Sequence, residues 1–144
     1  MTFRMLLLSL GLLAAFSGAA WSEEEDMEPD DGIVFSMDGV TFIEQDLDMV
    51  IRRDGRPDVK VQSEDMFYPI DGQVDLKAGY ALLVESAGNG CPAGLWSVVN
   101  LNSGKHKVLD LGEGGCNEET EVTLAGQSVL VKPPGAKPHR IPIK

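Results

Sequence analysis

Hydrophobic residues in this chain fall into short runs separated by glycine, proline or Asx turns, with no segment after the first twenty-two residues keeping a helical period over three turns. Ile33-Val-Phe-Ser-Met37 and Val40-Thr-Phe-Ile43 flank Asp38-Gly39. An Asp-Gly pair between apolar runs is a strong hairpin signal, because a type I′ turn needs positive φ at both central positions. Leu47-Asp-Met-Val-Ile-Arg52 fits either a strand or a helical turn and is punctuated by Asp54-Gly55. Val59-Lys-Val-Gln62 alternates like a half-buried strand, and Met66-Phe-Tyr-Pro-Ile70, demoted by its proline to an edge strand or an irregular crossing, precedes a third Asp-Gly pair, Asp71-Gly72.

The stretch from Tyr80 to Cys116 has the densest apolar patterning. Tyr80-Ala-Leu-Leu-Val-Glu-Ser86, Leu95-Trp-Ser-Val-Val-Asn-Leu101 and Lys107-Val-Leu-Asp-Leu111 are three β-prone runs. The loop Ala87–Gly94 and the turn Asn102-Ser-Gly-Lys105 separate them, and the glycine-rich loop Gly112–Cys116 follows. This predicts a β-meander. Glu121-Val-Thr-Leu124 and Ser128-Val-Leu-Val-Lys132 add two more strands, and the proline-rich segment 133–138 precedes a short edge pairing near Ile141–Lys144. The fold class expected is all-β, a small antiparallel sandwich or barrel-like meander. The pattern Leu95–Lys105 resembles one hairpin of a propeller blade, but the chain holds at most two such blades, which excludes a propeller on length.

Three domain segments are expected. Arg4, the apolar run Met5–Phe16 and the small residues Ser17-Gly-Ala-Ala20 form a signal peptide over 1–22, with an uncleaved signal anchor as the alternative. The run Glu23–Asp31 carries seven acidic residues and reads as a solvated linker, and residues 32–144 form one β-domain. The whole chain has a formal charge of −11, and the part from Gly32 onward has 16 acidic and 11 basic residues. A domain without clustered Lys and Arg is not expected to bind nucleic acid. The apolar run is too short for stable membrane insertion after cleavage, and the expected location is the periplasm or the exterior.

Export changes the reading of the two cysteines. In an oxidising compartment Cys91 and Cys116 form one disulfide, closing a loop worth about 3–4 kcal/mol in the chain-entropy model. His106 and His139 are not at ligand spacing from either cysteine, so no metal site is expected there. Catalysis is not expected: no Gly-x-Ser-x-Gly, His-Glu-x-x-His or Walker loop is present, and neither histidine sits where a buried, oriented base would. No cofactor is expected. Asp46, Asp48 and Asp54 offer oxygen ligands for calcium, without the twelve-residue loop that organises them. The bridge would pin Ala87–Gly94 beside Gly112–Glu119, so Asn89, Trp96, Asn117 and Glu118 are the candidate partner-binding residues, with a core position the alternative for Trp96. Met66-Phe-Tyr68 beside two acids is a second candidate patch, with burial its alternative.

Gly90-Cys-Pro-Ala93, the aromatic strand after it, the Ser-Gly-Lys turn and the second cysteine after glycines resemble small periplasmic β-proteins of Gram-negative bacteria. Some proteins of that build are immunity proteins that neutralise secreted cell-wall hydrolases, including amidases delivered by type VI secretion. The resemblance spans about residues 80–131 and implies a non-catalytic inhibitor that enters a basic hydrolase's cleft by a loop. The other functions open to such a chain are a structural or assembly module of the envelope and a small-ligand or calcium binder.

Overall fold

The computed structural model describes residues 32–144; the signal peptide expected over 1–22 and the acidic linker over 23–31 lie outside the described residues. The described chain is all-β. Its strands are β1 (Gly32–Met37), β2 (Val40–Gln45), β3 (Asp48–Arg53), β4 (Val59–Lys60), β5 (Asp71–Asp75), β6 (Tyr80–Glu85), β7 (Leu95–Asn100), β8 (His106–Val108), β9 (Glu121–Ala125), β10 (Ser128–Lys132) and β11 (His139–Pro142). They form three open antiparallel sheets, each built from strands consecutive in the chain: β1–β4, β5–β8 and β9–β11. Two of these sheets have the four strands of a propeller blade and the third has three. The first strands β1, β5 and β9 are neighbours, as first strands of propeller blades are, though propellers typically close with at least about four blades.

The sheets stack in layers around two cores. Val40, Phe42, Met49 and Ile51 from the first sheet meet Ala81, Leu83, Val99 and Leu101 from the second. On the opposite face of that second sheet, Leu82 and Val98 meet Val122, Val129 and Val131 from the third. Side chains alternate along a strand, so one buried on both faces must be apolar at successive positions. That is why β6 reads Ala-Leu-Leu-Val without a polar break. Strands β3 and β9, from the two outer sheets, alternate instead.

Local chemistry sets the turns. Asp38 and Gly39 have φ of 50° and 78°, as the type I′ turn requires. Leu47–Arg52, open between strand and helical turn, is taken up almost entirely by β3. Asp71-Gly72 is not a turn but opens β5; a Cβ on Gly72 would lie 2.7 Å from the Leu82 carbonyl oxygen, so the glycine serves close approach rather than reversal. The run expected over Lys107–Leu111 is a strand only through Val108. Beyond it Leu109 and Leu111 turn into the second core.

Few polar ties join the layers. The Gln73 amide in β5 donates to the Val122 carbonyl at 2.9 Å and accepts from the Leu124 N–H at 2.9 Å, so one side chain mimics a rung between β5 and β9. Arg53 donates to the Leu101 carbonyl at 2.7 Å. Gln62 donates through its backbone to Gly104 at 2.7 Å and through its side chain to Ser103 at 2.9 Å. A Cβ on Gly104 would collide with the Lys60 carbonyl oxygen, so only glycine fits this crossing.

Gln73→Ala leaves a buried-side N–H and C=O of β9 without partners, and the expected loss is about 1–3 kcal/mol. Urea unfolding checks it: a lower midpoint with an unchanged slope is expected, and an unchanged midpoint would show that the clamp holds nothing.

Candidate protein-binding surface

The expected disulfide is present. Cys91 and Cys116 are bonded with an S–S distance of 2.01 Å and Cα atoms 4.6 Å apart, and the Ala93 N–H also donates to the Cys116 carbonyl at 3.3 Å. The loops between β6 and β7 and between β8 and β9 are thereby held together. Asn89 is exposed on a single 3₁₀ turn, Gly88–Gly90, and Asn117 and Glu118 are exposed on the facing loop. Asn117 is also a folding residue, since its Oδ1 accepts the Glu119 N–H at 2.9 Å. Trp96 is placed differently from these three. Its ring packs against the second core, and its indole N–H donates to the Ala93 carbonyl at 2.9 Å, bracing the loop from beneath.

A groove opens beside this rim. The loop that carries Cys91 leaves the sheet at Glu85 and returns at Leu95, and these stem residues pair across β6 and β7. Both line a depression of about 630 Å³, walled on the other side by Glu64, Asp65, Met66 and Phe67. Strand alternation places Val108 on the same side, opposite Ser97. Leu95 and Val108 are 49% and 60% exposed, so the groove pairs apolar contact area with carboxylates. No lysine or arginine lines it. The Met66-Phe-Tyr68 patch divides: Phe67 is a core residue, Met66 packs against that core, and Tyr68 is exposed, its N–H held by the Glu85 carboxylate at 2.6 Å. Leu47, 83% exposed at φ 68° on the β2–β3 turn, borders the same acidic loop. The sequence reading missed the groove because its two walls are distant in the chain; exposed apolar residues at Leu95 and Val108 were the available signal.

His106 closes one end. The sequence reading did not place it where a buried, oriented base would sit; it is half-buried, its ring stacked on Phe67 with centroids 4.6 Å apart and planes 8° from parallel. Its Nε2 and the Ser97 hydroxyl are buried and hydrogen-bonded to nothing among the described residues. Ser97, His106 and Glu85 project from one face of the sheet, yet the serine and histidine are not bonded to each other and the serine is 2% exposed, so no nucleophile relay is assembled. Burial pushes the His106 pKa down, partly opposed by the Glu85 charge. The other histidine, His139, bonds the Leu111 carbonyl at 3.1 Å and holds the C-terminal segment in place.

The candidate calcium ligands do not converge. Asp48 pairs with Lys60 at 2.7 Å, and Asp54 lies beyond the far end of β3 from Asp46. Among the described residues no three His, Cys, Asp or Glu side chains are grouped to hold a metal, and no helix there is long and apolar enough to cross a membrane. Comparison with family models, curated proteins and solved structures finds no match.

Two outcomes follow from this geometry. The unfolded chain protonates its histidine near 6.5, whereas folded His106 resists protonation until lower pH. Between those two values the unfolded state binds more protons, so stability is greatest above the unfolded pKa and falls as pH drops through this window. His106→Phe is expected to flatten that fall, as read by denaturant midpoints across the pH range; an identical slope in the variant would reject the assignment. Leu47 holds a conformation that costs a non-glycine residue about 1–2 kcal/mol, so Leu47→Gly, which recreates an Asp-Gly turn, is expected to stabilise the domain by about 1 kcal/mol. A lower thermal midpoint would contradict the strain.

Proposed function

We propose that this chain is an exported, non-catalytic protein of the periplasm that binds and inhibits a basic partner protein. A cell-wall hydrolase is the partner class implied by its resemblance to immunity proteins. The observation that carries the reading is the groove beside the disulfide rim. It has carboxylates from Glu64, Asp65 and Glu85 on its walls and apolar surface from Met66, Leu95 and Val108. A lysine or arginine side chain suits such a site, because its methylenes cover apolar surface while its charged head meets a carboxylate. Asn89, Asn117 and Glu118 extend the contact along the rim. The strained, exposed Leu47 supplies an apolar contact on the other side of the acidic loop.

The wider field favours the same partner. A fold with a surplus of acidic residues attracts a basic protein at long range and speeds encounter. The cross-link fixes the rim before contact, so less ordering entropy is lost on binding.

Capture from envelope extract by the mature chain at low and high salt, followed by assay of the captured material for peptidoglycan hydrolysis, tests the proposal. The expected result is a basic hydrolase held at low salt and inhibited by the wild-type chain. The double variant Glu64→Lys/Asp65→Lys is expected to weaken inhibition at least about tenfold, equivalent to about 1.4 kcal/mol. Capture of no protein at either salt, or equal inhibition by the charge-reversed variant, would sink the reading.

A further inference from the structure

The other face of the same edge strand carries an opposite chemistry. Alternation along β8 turns His106 toward Phe67 and the acidic groove, and sends Lys105 and Lys107 to the opposite face. There Lys107 sits across from Val98, Val98 across from Leu82, and Asn100 across from Tyr80. Tyr80, Val98, Asn100, Lys105 and Lys107, with His106 at the strand between and Ile143 and Lys144 beyond, line a cavity of about 250 Å³. Its far wall is fixed: the Ile143 N–H donates to the Gln127 carbonyl at 2.9 Å, and Ile143 packs against the second core.

Three observations point to an anion. First, three lysines line one small cavity with no acidic side chain among its walls, in a domain where acids outnumber bases. Second, these lysines are uncommitted. The ion pairs formed by lysine among the described residues use Lys60 and Lys132. Third, neutral donors remain available. The Asn100 side chain accepts from the N–H groups of Asn102 and Ser103 at 2.9 and 3.0 Å through its oxygen, which leaves its amide nitrogen free. The Tyr80 hydroxyl has no hydrogen-bond partner among the described residues either, while its ring packs on the second core. Clustered ammonium groups repel one another, and a bound anion reduces that repulsion while accepting from the donors.

We propose that this cavity binds a small organic anion, its carboxylate or phosphate held by Lys105, Lys107 and Lys144 and its apolar body lying against Tyr80, Val98 and Ile143. The volume falls just below the range of about 300–1,000 Å³ that holds drug-sized ligands, so the occupant is a compact, single-ring or short-chain acid. The site lies across the central sheet from the acidic groove and does not depend on the partner proposed above.

Titration of the mature chain, followed by two-dimensional NMR, tests it with four probes: benzoate, phenyl phosphate, inorganic phosphate and neutral benzamide. Saturable shifts at Tyr80, Val98 and Ile143 with benzoate or phenyl phosphate are expected, and which of the two binds more tightly separates a carboxylate from a phosphate ligand. Inorganic phosphate and benzamide are each expected to bind at least about tenfold more weakly than the preferred probe. Lys105→Gln/Lys107→Gln is expected to weaken the organic anion by a similar factor with an unchanged thermal midpoint, since both lysines are exposed. Absence of saturable shifts with both organic anions, an equal response to benzamide or inorganic phosphate, or undiminished binding by the folded double variant would overturn the assignment.

Discussion

Burial of the second sheet on both faces is the constraint on which the architecture depends. In a sheet with one wet face, a slip of one residue sends every apolar side chain into water, and the sequence pattern alone enforces register. In β6 that safeguard is weak: Ala81, Leu82, Leu83 and Val84 are all buried, and a one-residue slip exchanges one apolar residue for another. Register must then be held by features outside the hydrophobic pattern. Asp75 supplies one, its carboxylate accepting the Ala78 N–H at 2.8 Å in the turn that leads into β6. Gly72 supplies another, since no larger residue can sit against the Leu82 carbonyl. The Gln73 rung and the disulfide at the other end of β6 and β7 complete the set.

Much of this was legible from residue order. The Asp38-Gly39 hairpin, the Tyr80–Cys116 meander, the cross-link and the all-β class follow from turn chemistry, apolar runs and the pair of cysteines. The failures have physical causes. Asp71-Gly72 looks identical to a turn pair, and only the packing of Leu82 and Leu83 against it shows that the glycine is there for clearance. The run from Lys107 to Leu111 kept its apolar spacing after leaving the sheet, because Leu109 and Leu111 still needed a core to enter. Of the site residues, Asn89, Asn117 and Glu118 could be placed on pinned loops from their spacing to the cysteines. The groove could not, since Glu64 and Asp65 meet Leu95 and Val108 only after the first two sheets have stacked.

The electrostatic design is similarly hidden in one short segment. Lys105-His-Lys107 reads as a basic triplet, yet a strand divides its members between faces. One face gives an acidic groove closed by an aromatic histidine, the other a lysine-lined cavity. A net charge for the domain describes neither. Two depressions of opposite charge thus lie on the two sides of β8, with His106 common to both linings.

Each sheet is assembled from strands adjacent in the chain, and this affects how the molecule is made. Pairings between neighbours close short loops, so each layer can zip up as its own segment becomes available, without awaiting distant sequence. The second sulfur lies beyond β8, after every strand of the first two layers. The bridge therefore requires the whole of the first two layers to be present before it can close.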